Sequence, residues 1–188
     1  MKKEGVMIKE TEINRARICS DVTFKAIFLR EKELLLKMIY DITNISETMQ
    51  YEEIITGYEL EPYKLNGKVN KSDMLIKINN RYFINVEINF GHQRNVIYRN
   101  VIQLFKIYIQ IGESGMTDNE LSLRKVGQVN FNTFSNSNNK ELQRGYIRDD
   151  EGNMFSDLLD IWSVDIEKSY KSLYNNTNEG RILPKVVK

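Results

Sequence analysis

From residue 21 to 42, apolar side chains recur at spacings of three and four: Phe24, Ile27, Phe28, Leu34, Leu35, Met38, Ile39 and Ile42. That period predicts a helix with one buried stripe. Asp21 or Thr23 can cap its start by accepting a free backbone N–H. The polar run 30–33 either interrupts this helix or forms its solvated face. Residues 52–61 read as a strand, followed by a polar connection through Pro62 and Gly67. Over 73–79 and 82–90 the period changes to two, which predicts a pair of strands around Asn79, Asn80 and Arg81. A second helix is predicted over 94–112. Beyond it KVGQVNFNTF alternates as a strand, SNSNNKE reads as a loop, and LQRGYIRDD and LLDIWSVDIE read as strands. EKSYKSLYNN closes the pattern as an amphipathic helix. This order predicts one mixed α/β domain around a single sheet, residues 21–175, with an arm at 1–20 and a tail at 176–188.

The paired strands fix their own register. A two-residue turn would pair Ile78 with Arg81 and mix apolar with polar side chains on both faces. A three-residue loop pairs Ile78 with Tyr82, Ile76 with Ile84, Met74 with Val86 and Asp73 with Glu87. One face is then wholly apolar, and the other carries Asp73, Lys77, Asn85, Glu87 and Asn89. Burial of an apolar set decides register, so the three-residue loop is expected. Carboxylates directly opposite one another lie about 4.5–5.5 Å apart at Cβ. They repel unless a cation sits between them. Oxygen ligands so placed suit Mg²⁺, which takes one or two carboxylates and keeps several waters. The same spacing also fits a solvated sheet face whose acids are screened by Lys77 and Lys71.

Composition narrows the chemistry. The 188 residues hold 27 basic and 26 acidic side chains, a net charge of +1, which disfavours tight non-specific nucleic-acid binding through a broad basic face. It leaves room for an acidic pocket within a basic rim, for which Lys25, Lys68, Lys71, Lys77, Arg94 and Arg99 are candidates. A single cysteine, Cys19, excludes a disulfide scaffold and a zinc finger. A single histidine, His92, leaves no Ser/His/Asp set to argue. The most apolar stretch, 96–112, contains Arg99 and Lys106, so no membrane span is expected. The charged N-terminal segment has no signal-peptide core, and a reducing, cytoplasmic setting is expected.

The order Asp21-Val-Thr-Phe24-Lys25-Ala-Ile-Phe28, Gly67-Lys68 before Asp73, Glu87-Ile-Asn89 fourteen positions on, and Tyr98-Arg99 leading to Gly112 resembles the PD-(D/E)xK nuclease family transposases, also described as recombination-promoting nucleases. The likeness extends over roughly residues 20–170. It implies a restriction-endonuclease-like α/β domain, a central mixed sheet flanked by helices, that cleaves DNA with Mg²⁺ or Mn²⁺. Asp73 and Glu87 would hold the metal, and Glu59 on the preceding strand would supply a further carboxylate. The wider superfamily has a lysine two residues after the Glu, and the transposase-like members commonly have Gln. Here the position is Asn89, which can orient water but brings no positive charge. Lys77 on the same face, or Lys25 from the first helix, is the candidate substitute.

Within the predicted 94–112 helix, Arg99, Gln103, Lys106 and Gln110 fall on one stripe. Arg99 and Gln103 are candidates to face the metal site or a DNA phosphate, the plain alternative being a solvated helix face. Asp21 and Lys25, one turn apart, form either an exposed ion pair or part of the site. Trp162 is expected in the core. The expected partners are DNA, no membrane and a homo-oligomer. If the site is degenerate, a nuclease-fold module that binds protein or nucleic acid without cutting is expected instead.

Overall fold

The computed structural model describes residues 21–46, 51–60, 70–91, 95–113, 115–134 and 140–169. The predicted arm and tail, most of the closing helix, and Cys19, Lys68, His92 and Arg94 lie outside them. Two helices open the described chain, α1 (Asp21–Arg30) and α2 (Lys32–Thr43). They are separated at Glu31, whose φ of −105° and ψ of 60° leave the helical region. The polar run at 30–33 therefore interrupts the helix.

Strands β1 (Tyr51–Thr56), β2 (Glu59–Leu60), β3 (Asn70–Lys71), β4 (Met74–Ile78) and β5 (Tyr82–Asn89) follow. Then come α3 (Val96–Gln110), α4 (Asp118–Ser122), β6 (Lys125–Asn132), β7 (Leu142–Arg148) and β8 (Met154–Asp165). The short helix α4 was not expected, yet Thr117 and Glu120 form a reciprocal capping box at its start.

Six strands form one mixed sheet in the order β1-β4-β5-β6-β8-β7, and β2 pairs with β3 apart from it. The neighbours β1/β4, β4/β5 and β7/β8 are antiparallel, whereas β5/β6 and β6/β8 are parallel. Strands β4 and β5 pair Ile78 with Tyr82, Ile76 with Ile84 and Met74 with Val86, the register of the three-residue loop. Asn79 and Asn80 turn the chain at φ of 49° and 47°, and Arg81 N donates to Ile78 O at 3.1 Å. Asparagine is one of the few residues that takes the left-handed region at modest cost.

The apolar face of β4–β5 continues through Val129 and Phe131 of β6 and Trp162 and Val164 of β8, and α1 and α2 cover it. Gly127 belongs to this face and has no room for a side chain: a Cβ there would lie 2.7 Å from Trp162 Cζ3 and 2.8 Å from Ile84 Cδ1. The opposite face is covered too. Parallel strands need a crossover, and α3 makes it between β5 and β6, seating Leu104 and Ile107 on Leu75, Phe83 and Val126. The polar face of the paired strands is consequently a buried layer and not a solvated one: Asn85, Glu87 and Asn89 are 0%, 5% and 0% exposed. No helix among the described residues is long and apolar enough to cross a membrane.

Candidate active site

Asp73 stands one residue before β4, and Glu87 faces it from β5. Each carboxylate is held by the other's strand: Asp73 N donates to Glu87 Oε1 at 3.2 Å, and Ile88 N donates to Asp73 Oδ2 at 3.0 Å. Two amides complete the shell around Glu87 Oε1, Asn85 Nδ2 at 3.3 Å and Gln103 Nε2 at 3.5 Å. Ser72 Oγ donates to Asn85 Oδ1, which turns the Asn85 NH₂ toward Glu87. Three donors therefore converge on Oε1, leaving Oε2 as the glutamate oxygen able to take a cation. The remaining Asp73 oxygen, Oδ1, lies 2.7 Å from Lys25 Nζ, which reaches over from α1.

This environment pushes the Glu87 carboxyl up to about 7. Burial is the main cause and the neighbouring Asp73 charge adds to it, while the Asp73 and Asn85 donors and the Arg99 charge oppose it. Arg99 is half-buried on the inner side of α3, where Nη2 donates to Asn89 Oδ1. Asn89 Nδ2 donates in turn to Asn132 Oδ1 at 2.9 Å, and Asn132 Nδ2 to Ser163 Oγ at 2.7 Å. A chain of polar contacts thus runs from α3 across β5 and β6 to β8.

Lateral pairing extends the layer. Asn85, Glu87 and Asn89 stand beside Gln128, Asn130 and Asn132 on the parallel strand. Gln128 Nε2 donates to Asn130 Oδ1 at 2.9 Å, and Asn130 Nδ2 to Trp162 O at 3.2 Å. Three amide oxygens of this layer, on Asn100, Gln103 and Gln128, are buried without a donor among the described residues. Buried acceptors left in this state call for water or a ligand.

The structure thus groups Asp73, Glu87, Asn89, Arg99 and Gln103 on the α3 side of the sheet, with Lys25 reaching Asp73 from α1. It takes two other predicted residues elsewhere. Glu59 pairs with Lys71 at 2.7 Å on the exposed β2–β3 ribbon, the pairing that holds its carboxyl below the usual range. Lys77 lies four residues up the strand from Asp73, with Nζ 5.9 Å above the Phe83 ring. Asp21 begins α1, and its side chain is not among those described. Gln110 donates to Glu59 O, away from the acidic pair.

Sequence reading missed Ser72, Asn100 and the amide row of β6. The signal for that row was present: Gln128, Asn130 and Asn132 alternate with the same period as Asn85, Glu87 and Asn89. A groove of about 610 Å³ opens one strand beyond the carboxylates, between α3 and β7–β8, with Asn100, Asn130 and Ser163 among its lining residues.

The donor set suits a hard cation. The two acidic side chains here, Asp73 and Glu87, offer oxygen ligands, and no group of three His, Cys, Asp or Glu residues able to hold a metal occurs among the described residues. A cation there would have two protein carboxylates and otherwise water or substrate, the habit of Mg²⁺ rather than of Zn²⁺. Comparison of the chain with protein-family models, curated proteins and solved structures finds no match.

Proposed function

We propose that the chain is a metal-dependent phosphodiesterase that cleaves DNA at the Asp73–Glu87 pair. The observation that carries this reading is the crosswise locking of two carboxylates, one of them buried and pushed up to about 7, with a lysine against the other. Strongly perturbed carboxyls with a specific charge partner gather where chemistry is done. DNA as the substrate rests on the ordered motifs that resemble the PD-(D/E)xK nuclease family transposases.

Asp73 and Glu87 would hold Mg²⁺, which when bound polarises a phosphoryl oxygen and lowers the pKa of a coordinated water. The protein's own groups then have separable tasks. Glu87 would hold a cation as its carboxylate, since positive charge offsets the penalty on the buried anion. Lys25 leaves Asp73 Oδ1 and neutralises charge developing on the phosphate. Asn89 has both amide atoms engaged, by Arg99 and Asn132, so its task is to aim the guanidinium and not to orient water. The positive charge missing at position 89 is supplied from α1 by Lys25.

The same occupied amide favours a second reading, a nuclease-like fold that binds nucleic acid or protein without turnover. Plasmid nicking in Mg²⁺ or Mn²⁺ separates the two. Wild type is expected to nick, and Asp73→Ala, Glu87→Ala and Lys25→Met are each expected to lose about 100-fold or more. A wild type no faster than Asp73→Ala would end the enzyme reading and leave the binding one.

A further inference from the structure

Helix α3 is apolar on two sides. Its inner side seats Leu104 and Ile107 in the core. Its outer side exposes Ile97 and Tyr98 (both 72%), Ile102 (52%), Phe105 (46%) and Ile109 (74%). A helix apolar on both sides is normally buried or partnered, and contiguous exposed apolar surface marks an interaction site.

The spacing of the outer residues fits a second copy of the same helix. Tyr98, Ile102, Phe105 and Ile109 are separated by four, three and four positions, the repeat of a helix–helix seam. That series reads the same from either end. Two α3 helices laid antiparallel about a two-fold axis, midway between positions 102 and 105, therefore match residue for residue. Tyr98 of one copy meets Ile109 of the other, and Ile102 meets Phe105. No charged side chain interrupts the seam, so an acidic peptide or a phosphate backbone finds no complement in it. A second copy of the chain finds its own surface, which is the requirement of an isologous contact.

We propose that the outer face of α3 is a homodimer interface, formed by antiparallel packing of Tyr98, Ile102, Phe105 and Ile109 on their own counterparts. The proposal rests on the exposed helix face alone and is independent of whether the Asp73–Glu87 pair cuts DNA. Four large side chains from each copy would bury about 1,000 Å² in total, the lower edge of specific interfaces, so a weak and reversible dimer is expected. Because α3 also holds Arg99 and Gln103 on its inner side, each dimer places a carboxylate site behind either helix.

Sedimentation equilibrium of the full chain from 1 to about 300 μM tests this. The expected result is a monomer–dimer equilibrium that persists at high salt, as apolar contact does. Ile109→Asp and Ile102→Asp are expected to weaken it at least tenfold, with unchanged far-ultraviolet dichroism because both positions are exposed. In a Cys19→Ser background, a mixture of Ile102→Cys and Phe105→Cys chains is expected to form disulfide dimers faster than either alone. A monomer throughout the range, a dimer indifferent to both aspartates, or faster cross-linking within either cysteine variant would overturn the proposal.

Discussion

Replacing Glu87 by Gln should stabilise the metal-free protein at neutral and alkaline pH, although the residue sits in the candidate site. The side chain is 5% exposed and its carboxyl is pushed from an ordinary 4.5 up to about 7. Below pH 4.5 both folded and unfolded chains hold the proton, and this group's contribution is fully present. Between 4.5 and about 7 the unfolded chain releases the proton while the folded one retains it, so stability falls as pH rises. Above 7 the loss is complete, and the interval amounts to about 3 kcal/mol. Gln does not titrate. Its Oε1 can keep the Asp73 N, Asn85 and Gln103 donors, and its NH₂ replaces a buried anion beside Asp73. The difference between variant and wild type should therefore be small at pH 4.5 and reach about 3 kcal/mol in favour of Gln at pH 8. In a chain of this size that is roughly 6–12 °C in melting temperature. Urea or thermal melts at several pH values, run without divalent ions, measure it. Parallel stability curves, or a Gln variant less stable than wild type at pH 8, would refute the reasoning. Adding millimolar Mg²⁺ extends the test: wild type at pH 8 should recover stability and the Gln variant should not. If wild type gains nothing, the cation reading fails while the burial reading stands.

Two predictions concern the scaffold that aims the site. Gly127→Ala puts a methyl group against the Trp162 ring and Ile84 at under 3 Å, and should cost about 1–3 kcal/mol in urea denaturation. Unchanged stability would mean that Trp162 shifts freely and that the apolar face is not tightly packed. Asn80→Val forces a β-branched side chain into a left-handed turn at φ 47° and should cost more than about 1 kcal/mol, whereas Asn80→Gly should be neutral or mildly stabilising. Equal losses in the two variants would show that the turn geometry does not depend on that residue.

The acidic pair was legible in the sequence because strand periodicity is local information. Once Met74, Ile76 and Ile78 must share a face with Tyr82, Ile84, Val86 and Ile88, Asp73 and Glu87 have no other place to go. What covers their face is not local. That depends on β6 lying parallel to β5, which obliges α3 to cross over it, and no feature of KVGQVNFN by itself announces a parallel neighbour. The amide row therefore read as one more alternating strand. Two cations, Lys77 and Lys25, were candidates for the site, and the choice between them is not local either. Lys77 shares a face with Asp73, but Phe83 directly opposite holds its stem and charge at the far end of the strand. Lys25 comes from an element that period-two reasoning cannot reach. Gln103 was singled out from a helix stripe expected to face the metal site or a DNA phosphate, with a solvated face as the alternative; it is buried and points inward at Glu87.

That Lys25 belongs to α1 makes the site dependent on how α1 docks. The residue before it, Phe24, is 6% exposed and packs on Phe131 with ring centroids 5.2 Å apart. Phe131 points to the apolar side of β6, while its neighbours Asn130 and Asn132 point to the polar side. This aromatic contact helps seat the helix whose ammonium sits on Asp73. Lys25 and an incoming cation compete for the same oxygen, Asp73 Oδ1. Lys25→Met should therefore tighten Mg²⁺ binding, even as it removes the charge proposed to assist cleavage. For a half-buried pair worth about 1 kcal/mol, the expected change is roughly fivefold in dissociation constant. Phe24→Leu, which keeps an apolar side chain but loses the ring contact, should tighten Mg²⁺ in the same direction by loosening α1. Adding Lys25→Met to Phe24→Leu should then bring little more, because both act through one ammonium. Titration calorimetry on the four proteins reads this without any need for turnover. If Lys25→Met leaves Mg²⁺ affinity unchanged or weakens it, Lys25 does not compete for Asp73. If the two substitutions instead add in full, Phe24 does not act through Lys25.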